Sequence, residues 1–234
     1  MLEVNGKVVY TELDEIVSPA HAALLIIDMQ RDFVTTDGVF ATLGGDLSVF
    51  PPMIERLRAL TDVARDCEML VVHIRHSMMP NLESESPAQM RFNLRISEQF
   101  LGLSEPLRYA VEGTQGADGI PELLPVADEV IVKKHRSSAL WGTNLDVLLR
   151  SNGIEAVVIT GCTTEGCIES TARDALFNDY YAVIVEDCVA SDDAALHEAS
   201  LLLMRHRFDV VSSQAIISSL RGTKSGSPST AWTQ

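Results

Sequence analysis

Three side chains of complementary chemistry stand far apart in the 234-residue chain: Asp28 ends the apolar run ALLII, Lys134 ends VIVKK, and Cys167 lies just past VVITG. A thiolate attacks carbonyl carbon, and a carboxylate can take the thiol proton and return it to a departing nitrogen. An ammonium beside that carboxylate keeps it ionised and helps stabilise the attacked carbonyl. Each residue also has a blander account. Cys167 can be a small core thiol under a helix, Asp28 a cap for the turn MQRDF, and Lys134 a solvated strand end. Lys133 is expected to be such an end, because adjacent strand residues point to opposite faces. Position alone leaves both readings of Cys167 open.

In VVITGCTTEGCIESTARDA an apolar strand runs through a Gly/Thr turn into a helix whose first turn carries Cys167. The free N–H groups and partial positive charge of a helix start favour thiolate over thiol and suit an oxyanion. A lowered thiol pKa is therefore expected. Cys67, Cys162 and Cys188 read as core thiols, and Asp32 reads as a surface residue or cap. His73 and His76, three apart on and just after a strand, need not share a face, so they read as polar strand-end residues rather than metal ligands. Glu169 and Arg173 form a solvated helical pair. Phosphate-binding loops, the dinucleotide fingerprint and the G-x-S-x-G elbow are missing, which leaves kinase, dehydrogenase and serine-hydrolase readings without their motifs.

The elements that must bring the three residues together are legible as alternating apolar runs and amphipathic stretches. Strands are expected at Ala22–Ile27, Met69–Ile74, Glu129–Lys133, Ala156–Thr160, Ala182–Val185 and Asp209–Val211. Helices are expected at Pro52–Arg65, Asn144–Ser151, Gly166–Asn178, Asp193–His206 and Gln214–Leu220. The stretch from Met78 to Pro125, rich in Pro, Gly, Ser and Glu, reads as an irregular excursion with one helix near Ala88–Phe100, placed to cover a site. This rhythm predicts an α/β fold: a three-layer, doubly wound sheet of six mostly parallel strands in the order 3-2-1-4-5-6, with helices on both faces. Strands one and four are then neighbours, and ligands bind at that switch point, where Asp28 and Cys167 lie. One domain over residues 1–221 and a flexible Gly/Ser/Thr-rich tail over 222–234 are expected.

The formal charge of −15 disfavours nucleic acid and anionic membranes as partners. No apolar run approaches the roughly 18 to 20 residues that cross a bilayer, and the opening segment lacks the basic start and apolar core of a signal peptide. A cytoplasmic location with reduced thiols is the expectation. The Cys162–Cys167 spacing does not suit a structural zinc site.

Taken together, LLIIDMQRDF, KKHRSSALWGTNLDVLL and VVITGCTTEGCIESTARDA resemble the isochorismatase-like cysteine hydrolases over most of the chain. The resemblance implies Asp28, Lys134 and Cys167 as catalytic residues. It also implies a cis peptide between Cys162 and Thr163, which turns the Thr163 N–H toward an oxyanion together with that of Cys167. Isochorismatase itself has no cysteine at the nucleophile position, so Cys167 argues against vinyl-ether hydrolysis. Nicotinamidases carry an Asp/His metal cluster that HIRHSMMPNLESE does not reproduce, so neither metal nor cofactor is expected. The segment around RSSALWGTNLDVLL is most similar to the N-carbamoyl and ureido branch, which includes N-carbamoylsarcosine amidase, ureidoacrylate amidohydrolase and biuret hydrolase. The expected activity is hydrolysis of a C–N bond in a small ureido or N-carbamoyl compound. A simple carboxamide (maleamate- or nicotinamide-like) is the alternative, and a catalytically silent metabolite binder stands outside enzymes. Phe33 and Trp141 are candidates to line the pocket and Arg136 to pair with a substrate carboxylate, with a solvated arginine as the plain reading. The resemblance also implies a homo-oligomer, to which the irregular middle segment can contribute by completing a neighbour's pocket.

Overall fold

A computed structural model describes residues 1–225. The elements, in chain order, are β1 (Leu2–Val4), β2 (Lys7–Val9), α1 (Leu13–Ile16), β3 (Ala22–Ile27), α2 (Arg31–Val34), α3 (Phe50–Asp66), β4 (Leu70–His76), α4 (Pro87–Leu101), β5 (Val130–Lys134), α5 (Leu145–Ser151), β6 (Ala156–Cys162), α6 (Glu169–Phe177), β7 (Tyr181–Ala190), α7 (Ala194–Arg205), β8 (Asp209–Val211) and α8 (Ser213–Ser225).

Six of these strands form one sheet in the order β5-β4-β3-β6-β7-β8, all neighbours parallel. Counted from β3, this is the expected order 3-2-1-4-5-6. Strands buried on both faces must be apolar throughout, and in β3 all six residues are buried. Alternate residues feed two cores: Leu24 and Ile26 pack with Leu57 and Leu60 of α3 and Ile216 and Leu220 of α8, whereas Leu25 and Ile27 pack with Leu145 and Leu149 of α5, Ala172 of α6 and Met204 of α7. Each fully buried Leu or Ile stabilises by about 1.5–3 kcal/mol relative to exposure. That burial holds the carboxyl ends of β3 and β6 side by side.

Several boundaries differ from expectation. α8 runs to Ser225, so residues 222–225 belong to a helix; the remainder of the expected tail lies outside the described residues. β7 continues past Val185 to Ala190, because Glu186 and Asp187 break the apolar run without ending the strand. The antiparallel pair β1–β2 was not anticipated. The excursion between β4 and β5 is irregular apart from α4 and two short 3-10 turns, and α4 starts on a Ser86 side chain that caps Gln89 N–H. Among the described residues, no helix is long and apolar enough to cross a membrane.

Candidate active site

The ends of β3, β5 and β6 bring the three residues selected from the sequence into contact. Lys134 Nζ lies 2.8 Å from Asp28 Oδ2 and 3.1 Å from Cys167 Sγ, and it also donates to Arg136 O at 3.0 Å. The Asp28 carboxyl group also acts electrostatically on the Cys167 thiol. Apart from these two neighbours no donor approaches the Asp28 oxygens, which are shut off from solvent. A buried carboxyl group left with only a lysine and a thiol beside it marks a candidate functional site.

Local backbone geometry explains each placement. Asp28 leaves β3 at φ +55, a left-handed conformation that Asp tolerates better than most residues, and its N–H donates to Ile74 O at 2.9 Å. Gly161 has φ +113, and a Cβ there would meet Ile27 O at 2.0 Å. Only glycine lets β6 pass that close to β3 where the register with β7 shifts. The Cys162–Thr163 peptide is cis, as the resemblance implied. Cys167 then sits on a π turn, Thr164–Ile168, that leads into α6, a distortion frequent at functional sites. Thr171 Oγ1 donates to Cys167 O at 2.6 Å, and Ser200 Oγ bonds Glu169 Oε2 at 2.6 Å, tying the turn to α6 and α7.

The electrostatics correct one expectation. The Cys167 thiol is not lowered: burial and the charge of Asp28 push it up to about 12, with Lys134 opposing. The helix start is outweighed by loss of water and by the adjacent carboxylate. Burial disfavours the Lys134 ammonium, yet Asp28 and Cys167 outweigh it and leave its pKa raised. At rest, burial and Asp28 favour the neutral Cys167 thiol, and Asp28 and Cys167 favour the Lys134 ammonium.

A cavity of about 910 Å³ opens over these residues and is lined by Asp28, Cys167, Thr163, Phe33 and Arg136, among others. Trp141 is not among the lining residues and is 61% exposed. Its turn is pinned by Ala139 and Leu140, which point into the core, while Ser138 Oγ holds the Leu140 and Trp141 N–H groups, so the indole is left facing out. Arg136 lines the cavity, but its Nη1 is held by Ser84 O at 2.9 Å and by His135 O. Asp32 is buried, not superficial: its carboxylate accepts from Ala110 N at 2.7 Å and from Val39 N at 3.3 Å, joining two loops. Lys133 is exposed and pairs with Glu112, as expected of a solvated strand end. Glu169 and Arg173 pair at 2.6 Å.

The two histidines part company. His73 bonds Glu129 at 2.8 Å on one side of β4. His76 faces the cavity, tilted by 30° against Tyr109 with ring centroids 5.0 Å apart, and its Nε2 is unpartnered. Burial, then Lys134, His135 and Arg136, lower its pKa well below the usual imidazole value. Phe40 and Tyr109 pack edge-on against Phe33 and complete an aromatic wall. Sequence reasoning missed both: they come from irregular segments with no periodicity to place them.

Comparison with known proteins follows the same lines. The model of the isochorismatase domain matches residues 22–216. The chain is 30% identical over 173 residues to ureidoacrylate amidohydrolase RutB of Enterobacter sp. (strain 638), covering 73% of this chain and 75% of that protein. Among solved structures it is similar to an isochorismatase-like hydrolase from Alkaliphilus metalliredigens, with 30% identity, a TM-score of 0.68, and coverage of 85% of this chain and 98% of that one. It is also similar to N-carbamoylsarcosine amidase from Thermoplasma acidophilum, with 26% identity, a TM-score of 0.62, and coverage of 82% and 96%.

Proposed function

The chain belongs to the isochorismatase domain family, and from that premise we propose that it is a cysteine amidohydrolase that cleaves a C–N bond of an N-carbamoyl or ureido compound and releases ammonia. The observation that carries this reading is the buried contact of Lys134 with both Asp28 and Cys167, at 2.8 and 3.1 Å. The amidohydrolases it is similar to support the reaction class.

In the reaction, Asp28 takes the Cys167 proton as Sγ attacks the carbonyl or carbamoyl carbon. The N–H groups of Thr163 and Cys167 receive the oxyanion. As the intermediate collapses the C–N bond breaks, and Asp28 returns the proton to the leaving nitrogen. Water then attacks the thioester, giving its proton to Asp28, and the sulfur is released and reprotonated. Lys134, in contact with both Asp28 and Cys167, offsets charge on sulfur whenever thiolate is exposed. Phe33 packs beside the acyl group.

The test is ammonia and carbon dioxide release from ureido compounds, set against ammonia with carboxylic acid from simple carboxamides, using the native chain and Cys167→Ser. Ammonia with carbon dioxide, lost in the variant, supports the proposal. Carboxylic acid as the other product moves the substrate to the carboxamides, and silence with an unmodified Cys167 removes the enzyme reading. We further propose a homo-oligomer; light scattering that shows only monomer at working concentration would refute it.

A further inference from the structure

The cavity is larger and differently charged than a small ureido acid requires. Its volume of about 910 Å³ lies near the top of the roughly 300–1,000 Å³ that enclose drug-sized ligands. Much of its wall is apolar: Phe33, Phe40 and Tyr109 form one contiguous aromatic cluster, and Phe92, Ile96 and Leu107 face the same space from α4 and the segment after it.

The polar part of the wall is acidic. Asp46, Glu165, Asp192 and Asp193 line the cavity. Two of them are occupied with backbone amides, Asp46 with Ser48 N and Asp193 with Ala195 N and Leu196 N. Glu165 Oε2 is buried without a hydrogen-bond partner. Asp192 packs where Gly45 leaves room, and its pKa is raised by burial and then by Glu165 and Asp193. Against these carboxylates stands the single guanidinium of Arg136, pinned by two carbonyl oxygens. Lys134 is consumed by Asp28 and Cys167, and His76 carries no charge near neutral pH. An anionic group entering this space would lose its water and meet net negative charge.

We propose that the non-reacting part of the substrate is an apolar arm of aromatic size that carries no negative charge. The inference rests on the amidohydrolase reading and narrows its substrate. An aromatic arm buries its face against Phe33, Phe40 and Tyr109, while the reacting carbonyl reaches Cys167 beneath. The acidic side chains then favour neutral or hydrogen-bond-donating substituents and reject carboxylates.

Matched pairs separate size from charge: benzylurea against para-carboxybenzylurea, and phenylacetamide against para-carboxyphenylacetamide, with urea and acetamide as armless references. The expected result is a kcat/KM for the uncharged aryl compounds roughly 30-fold or more above the armless references, the factor one buried ring supplies. Each carboxylated partner should fall roughly 100-fold below its neutral mate. Glu165→Gln combined with Asp192→Asn should recover about tenfold on the carboxylated compounds. If the double variant does not fold, Asp192→Asn alone should move the same ratio in the same direction. Preference for the carboxylated member of each pair, dependent on Cys167, overturns the inference and leaves the amidohydrolase reading standing. Equal rates for aryl and armless compounds also overturn it, as they would if a second subunit filled the cavity. Silence on every compound, with Cys167 never acylated, overturns both.

Discussion

Lys134 Nζ stands 3.1 Å from Cys167 Sγ although β5 and β6 are separated by two other strands in the sheet. The lysine side chain is fully buried and crosses the carboxyl ends of β4 and β3 to reach the thiol. It is thereby the common neighbour of Asp28 and Cys167, and its charge has consequences for stability.

Lys134→Met should leave Asp28 as an unpaired buried charge and destabilise the fold by about 3–5 kcal/mol. Adding Asp28→Asn should return most of that stability and none of the activity. Urea unfolding of the two single variants and the double variant measures the coupling. Additive effects would mean that the pair is not coupled.

Alkylation of Cys167 by iodoacetamide in the resting protein should be slow at neutral pH and rise about tenfold per pH unit toward its pKa of about 12. The sign for stability follows from a folded pKa above the ordinary 9.0. The contribution is present below pH 9 and is lost as pH rises toward 12. Mass-resolved labelling against pH checks the first statement, and a rate already at its plateau by pH 7 would contradict it.

Glu129 clamps the edge of the sheet. It accepts Arg65 Nε at 2.8 Å, Arg65 Nη2 at 2.9 Å, His73 at 2.8 Å and Val126 N at 3.0 Å. Burial opposes its charge, but these donors win and its pKa falls to about 2. Because the folded pKa is depressed, the contribution is present above pH 4.5 and fades as pH falls toward 2. Glu129→Gln should cost about 1–3 kcal/mol at pH 7. Its melting deficit relative to the native chain should shrink in acid, and a deficit constant from pH 7 to pH 3 would exclude the ionic origin.

Gly161→Ala should be among the most damaging single changes outside the Asp28–Lys134–Cys167 cluster. The residue sits at φ +113, with Ile27 O 2.0 Å from the added carbon. A loss of about 3 kcal/mol or more is expected, with β6 pushed from β3 and the Cys162–Thr163 turn displaced. Thermal melting and activity should fall together; a soluble variant with native melting would refute the close approach.

The sheet was legible because strands buried on both faces are continuous apolar runs, and ALLII and VVIT allow little else. Boundaries failed where polar residues have local partners. β7 continues through Asp187, whose carboxylate accepts from Ser213 N and Oγ, and nothing in the local pattern announces that contact. The β1–β2 pair did have a signal: Asn5 and Gly6, at φ +51 and +75, are the Asn-Gly turn that joins short hairpins. The convergence of Asp28, Lys134 and Cys167 was readable from strand ends. The raised thiol pKa and the outward Trp141 were not, because both depend on what surrounds a residue after folding.

Asp28 and Lys134 stand at the ends of strands, whereas much of the cavity wall belongs to the excursion between β4 and β5, with Phe92, Asn93, Ile96, Leu107 and Tyr109 among its members. Substitution there leaves β3, β5 and β6 in place. One chassis can thus be re-tooled for new compounds by altering a single contiguous stretch of gene, residues 86–109, while the Asp28–Lys134–Cys167 cluster is inherited unchanged.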